Sequence, residues 1–153
     1  MESMYKGGKD KESLGNVIND FHRDRLCKLL LDHGGTVLIG NANAHEDKNL
    51  TPTVILNPLT TSPLMKEEIF GPILPIITYN TIDDAIKFIN ERDKPLSIYY
   101  FGTNSDRNSS LIKVQDQTSS GSFVVNEVVV QIMSSYLPFG GVGASGYGRL
   151  HGK

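Results

Sequence analysis

The chain reads as an α/β fold with a mostly parallel sheet flanked by helices. Two observations predict it. Short aliphatic and β-branched runs alternate along the chain with segments of helical periodicity. The 153 residues, 39% hydrophobic and 21% charged, are enough for one domain with a real core, and no internal repeat or low-complexity linker divides them.

Taken in order, residues 1–13 are polar and charged around Gly7-Gly8 and read as a loop or frayed end. The remaining 14–153 read as one domain segment. From Asn16 to Asp32 the pattern turns helical, with Val17, Phe21, Leu26, Leu29 and Leu30 largely on one face and Gly34-Gly35 as the stop. Thr36–Gly40 reads as a short buried strand, residues 41–50 as a polar, turn-rich connection, and Thr53–Leu56 as a second strand. Leu64–Glu68 has the length of one helical turn. Ile73–Tyr79 is strand-like, with Pro75 marking an edge or a kink. Thr81 is placed to cap a helix from Ile82 to Arg92, whose first turn carries Asp83 and Asp84 and whose apolar stripe is Ala85, Ile86 and Ile89. Leu96–Phe101 is a further strand. A helix capped at Asn104 or Ser105 runs through Leu111, Ile112 and Val114 to Gln117. Gly121–Asn126 is the last strand, extended by Val128-Val129-Val130, and Ser134–Lys153 is glycine-rich and irregular.

The bulk numbers exclude some functions. The net charge of −2, without a basic block or basic–aromatic stripe, gives nucleic acid no footprint. The single cysteine, Cys27, permits no intrachain disulfide and fits a reducing compartment. No run approaches the roughly 18 apolar residues of a membrane helix. His22, His33, His45 and His151 lack metal-ligand spacing with cysteines or acids, so no metal is expected.

Six motifs then occur in order. They are Arg25–Gly35; Thr51-Pro52-Thr53-Val54; Met65–Ile76, with Glu67-Glu68-Ile69-Phe70-Gly71-Pro72 at its centre; Asp84–Asn90 with Lys94-Pro95-Leu96; Ser119-Ser120-Gly121; and Leu137–Gly148, with His151-Gly152-Lys153 after it. In this order the chain resembles the C-terminal part of an aldehyde dehydrogenase catalytic domain, of the class 3 branch that includes fatty aldehyde dehydrogenases. The resemblance runs from about Leu14 to the C-terminus.

That resemblance implies NAD or NADP as hydride acceptor and oxidation of an aldehyde, fatty or aromatic, to a carboxylic acid through a cysteine thioester. It places the nucleophilic cysteine, the glutamate base, the asparagine oxyanion donor and the Rossmann domain upstream of this chain. The expected catalytic set within the chain is therefore empty, and the isolated chain is expected to be inactive. It further implies a homodimeric full-length parent and a cytoplasmic setting, with membrane association of the parent left open. The alternative is a noncatalytic subunit or interaction module derived from such an enzyme; a gene-model fragment is a third reading.

The resemblance assigns Glu68 to the nicotinamide ribose hydroxyls, since one carboxylate can accept two hydroxyl donors; the competing reading is a solvated glutamate. It sets Phe70 beside the nicotinamide ring, against the alternative of an ordinary core phenylalanine. Asn126 and Phe139 fall on the substrate or active-site wall, with a strand-end turn as the competing role for Asn126, and Gln131–Tyr136 corresponds by the same resemblance to part of the aldehyde tunnel. Gly141-Val142-Gly143-Ala144-Ser145-Gly146 spells G-x-G-x-x-G, but no strand-to-helix unit or ribose-binding acid accompanies it, so a glycine-rich surface crossing is the better reading. Cys27 sits on the leucine-rich helix with no base or oxyanion donor in its motif, and reads as a small apolar residue.

Overall fold

The computed structural model describes residues 15–40, 50–103 and 110–151. They fall in two compact units, Met1–Thr78 and Tyr79–Lys153. The fold class stands as α/β.

The first unit opens with α1 (Asp20–Leu29). Asn19, extended at φ −160°, caps it by accepting a hydrogen bond from the His22 N–H at 2.9 Å. The helix starts later than its periodicity suggests, because Asn19 takes the cap. Phe21 then falls in the first turn and is 74% exposed rather than buried, set edge-on to His22. Leu26, Leu29 and Leu30 are buried as expected, with Val17 packed against them. Gly34 takes the left-handed turn after the helix, at φ +67°.

Three strands follow: β1 (Thr36–Ile39), β2 (Thr53–Leu56) and β3 (Ile73–Ile76), in the order β1-β2-β3. β2 and β3 run parallel, Thr53 opposite Ile73 through Leu56 opposite Ile76. β1 runs antiparallel to β2, so this sheet is mixed. The physical reason lies in the connections. Between β2 and β3 the chain crosses over through a 3₁₀ turn, Pro63–Met65. Between β1 and β2 the sequence has no helical periodicity to build the crossover a parallel pair needs. β1 is also less covered than expected: its register shifts between Val37 and Ile39, and Leu38 is left exposed. Pro75 lies on the outer strand. Thr53 and Asn57 donate to the Pro72 and Ile76 carbonyls, so alternation turns residue 75 away from β2, where a missing N–H breaks no rung. Leu26, Cys27, Leu29, Leu30, Leu50, Ile55, Leu64 and Ile73 form the core of this unit.

The second unit starts with α2 (Ile82–Asn90). Its capping box is complete. The Asp84 N–H donates to Thr81 Oγ1 at 3.3 Å, and the Thr81 N–H donates to Asp84 Oδ2 at 2.9 Å. Ile86 is buried, while Ala85, Phe88 and Ile89 are half-buried. β4 (Ser97–Tyr100) pairs parallel with β5 (Ser122–Val125), and α3 (Ser110–Gln117) lies in the crossover between them. The expected caps Asn104 and Ser105 fall outside the described residues. The valine run does not extend β5. Asn126 turns left-handed at φ +57°, Val129 does the same at φ +67°, and α4 (Val130–Met133) follows as one short turn. β-branched propensity gives way here to a sharp strand end fixed by hydrogen bonds. In the glycine-rich tail, Phe139 and Leu150 exchange two backbone hydrogen bonds of 2.7 Å across an isolated antiparallel bridge.

Candidate functional site

The four expected site residues divide between the units: Glu68 and Phe70 in the first, Asn126 and Phe139 in the second.

Residues 66–72 lie between the 3₁₀ turn and β3, and the guanidinium of Arg25 on α1 holds their centre. Its Nη1 donates to the Glu68 carbonyl at 3.1 Å and its Nη2 to the Ile69 carbonyl at 2.5 Å. The Glu67 carboxylate lies 3.7 Å from Nη1. With its main chain pinned, Glu68 presents its side chain to solvent, and its carboxylate makes no hydrogen bond or ion pair among the described residues. Phe70 follows at φ +46°, a left-handed conformation that costs an L residue about 1–2 kcal/mol. Its ring is 79% exposed, so it is not a core phenylalanine of its unit.

Gly71 allows this segment to lie against the helix. A Cβ there would come within 2.6 Å of the Leu26 methyl carbons, so the fully buried Leu26 would have to shift to admit it. Gly71 and Pro72 then make the expected tight turn: the Ile73 N–H donates to the Gly71 carbonyl at 2.8 Å, and the Thr53 N–H to the Pro72 carbonyl at 2.9 Å. A carboxylate and an aromatic ring two residues apart are thus held outward on a fixed main chain, the one able to accept from vicinal hydroxyls and the other to offer an apolar face to a flat ring.

In the second unit, Asn126 ends β5 and clasps the chain after β4. Its N–H donates to the Tyr100 carbonyl at 2.8 Å, its Oδ1 accepts from the Gly102 N–H, and its Nδ2 donates to the Gly102 carbonyl, both at 2.9 Å. The side chain therefore holds backbone. Phe139 is half-buried at the bridge to Leu150. The G-x-G-x-x-G segment spends its donors internally: the Val142 N–H goes to Ser145 Oγ, the Ser145 N–H to the Val142 carbonyl, and the Gly146 N–H to the Gly143 carbonyl. A 3₁₀ turn at Gly143–Ser145, rather than a long helix, follows its first residues, so nothing here forms a phosphate cradle.

Two groups make contacts that the sequence did not signal. Arg25 is one; nothing in its spacing signals hydrogen bonds to carbonyls 43 and 44 residues away. Gln131 is the other, donating through Nε2 to Tyr99 Oη at 2.9 Å and Ser97 Oγ at 3.1 Å. That bond leads the causes holding the Tyr99 phenol below its usual range. Burial pushes the Cys27 thiol up, as suits a core position. Among the described residues no group of three or more His, Cys, Asp or Glu is arranged for a metal, and no helix is long and apolar enough to cross a membrane.

The fold is that of an oxidoreductase with known structures. The chain superposes on the substrate-bound state of Staphylococcus aureus AldH with a TM-score of 0.85 and 37% identity, over 99% of this chain and 32% of that one. The aldehyde dehydrogenase family model matches residues 2–153, and the chain belongs to that family. In sequence it is 46% identical to rat aldehyde dehydrogenase family 3 member B1, over 92% of this chain and 29% of the relative. It is 41% identical to the mouse aldehyde dehydrogenase named dimeric and NADP-preferring, over 95% and 31%. The chain thus spans less than a third of the length of each of these relatives.

Proposed function

We propose that this chain forms the nicotinamide-end wall of an NAD- or NADP-dependent aldehyde dehydrogenase that oxidises fatty or aromatic aldehydes to carboxylic acids. The observation that carries this reading is the outward presentation of Glu68 and Phe70 on a main chain pinned from α1. The residues present fit the cofactor: a solvent-facing carboxylate to accept hydroxyl donors, with no partner among the described residues, and an exposed ring beside it. When bound, the dinucleotide supplies the hydride acceptor. Glu68 accepts the two ribose hydroxyls, and Phe70 fixes the plane against which the nicotinamide rests. Asn126 holds the Gly102 backbone and Phe139 supplies apolar wall on the substrate side. No residue of the chain is assigned as nucleophile, so the isolated chain does not oxidise aldehydes. The family 3 relatives support the class 3 branch, and the relative named dimeric supports a homodimeric whole. A cytoplasmic setting belongs to the same reading.

The test fuses this chain, in place of the matching residues, to the remainder of rat aldehyde dehydrogenase family 3 member B1. The chain alone shows no aldehyde-dependent reduction of NAD or NADP, and the fusion restores it. Glu68→Gln in the fusion raises the cofactor KM about tenfold, the equivalent of one charge-assisted hydrogen bond. An unchanged cofactor KM in Glu68→Gln removes the ribose role.

A further inference from the structure

We propose that Arg25 is a positioning residue for the cofactor: its guanidinium fixes the main chain that aims Glu68 and Phe70. This rests on the cofactor reading above. Three observations carry it. One side chain on α1 donates to two successive carbonyls, Glu68 O at 3.1 Å and Ile69 O at 2.5 Å. Those carbonyls immediately precede Phe70, the residue held in a left-handed conformation, which an aromatic residue seldom adopts without support from its surroundings. Gly71, just beyond, packs against Leu26, the next residue of the same helix, where no side chain would fit.

Arg25 and Leu26 therefore hold the segment from both ends of the strained residue. The fork geometry of arginine suits this task, since a guanidinium reaches two carbonyl oxygens at once and a lysine ammonium would hold one of them poorly. Arg25 itself is only partly exposed, 23% by its side chain, while the carboxylate and ring it aims are open. It touches main chain rather than reacting atoms. Its effect on cofactor is exerted through where Glu68 and Phe70 point.

The experiment uses the 153-residue chain labelled with ¹⁵N and nicotinamide mononucleotide as probe. This probe carries the nicotinamide ribose without the adenosine half, and backbone amide shifts read millimolar binding. Wild type, Arg25→Lys, Arg25→Ala and Glu68→Gln are compared. Arg25→Ala moves the amides of residues 67–71 while those of β2 stay, and weakens the probe about tenfold. Arg25→Lys falls between, and guanidinium ion at millimolar concentration returns Arg25→Ala toward wild type, which a general loss of packing would not allow. Unmoved amides at 67–71 overturn the proposal. So does an Arg25→Ala affinity equal to wild type when Glu68→Gln has lost affinity. No binding by wild type, or full affinity in Glu68→Gln, overturns the cofactor reading and this proposal with it.

Discussion

The two units are held together in different ways. The first is built around eight buried residues, from Leu26 on α1 to Ile73 on β3, and the segment carrying Glu68 and Phe70 lies against that core. Among its described residues the second buries fewer apolar side chains, Ile86 and Val114, and adds several polar clasps. Thr81 and Asp84 close α2, Lys113 pairs with Asp83 at 2.6 Å, Asn90 holds the Gln117 carbonyl, Asn126 holds Gly102, and Gln131 holds Tyr99 and Ser97. The difference teaches where precision comes from in each. In the first unit close packing fixes a strained loop. In the second, directional hydrogen bonds set loop geometry that apolar burial does not.

The largest expected effect breaks the packed unit. Leu26→Ala opens a cavity beneath Gly71 and costs about 3 kcal/mol in denaturant unfolding. If the comparison holds, Val114→Ala in the second unit costs less, because less apolar surface surrounds it. A second substitution sharpens the role of the clasps. Asn126→Gly keeps the left-handed backbone and removes both side-chain bonds to Gly102, for a loss of about 1–2 kcal/mol by the same measurement. Equal stability in Asn126→Gly would show that the turn, and not the clasp, sets this loop. The smallest effect is read by pH. The bonds from Thr81 hold the Asp84 carboxyl below its ordinary value of 3.8. The folded state then binds this proton less readily than the unfolded chain. The stabilisation is present above 3.8 and is lost as pH falls through the lower folded value. Amide exchange at Thr81–Asp84 rises on that acid limb, and Asp84→Asn flattens the response.

Much of this was legible from local chemistry. Thr81 announces the cap of α2, with Asp83 and Asp84 in its first turn, and β2 is where its residue types place it. The fold class followed from the same alternation. What failed involved partners distant in sequence or a helix start shifted by a few residues. Val128-Val129-Val130 has strand propensity, yet Asn126 and Val129 turn left-handed and the chain closes into α4. Phe21 has the periodicity of a core residue but lies in the first turn after the Asn19 cap. The antiparallel pairing of β1 was hidden because residue types do not carry strand direction. Around the candidate site, Glu68 and Phe70 were singled out through their motif, whereas the Arg25 contact was not, because its hydrogen bonds span 43 and 44 residues.

Pro75 has a consequence for assembly. Within β3, Ile73 and Pro75 are the residues turned away from β2; Pro75 has no N–H, and the Ile73 N–H is already given to the Gly71 carbonyl. The outer rim of this strand therefore offers acceptors and no donor. A stray strand arriving there would find nothing with which to bond its own carbonyls, so the rim does not template the edge-to-edge growth that turns exposed strands into fibrils.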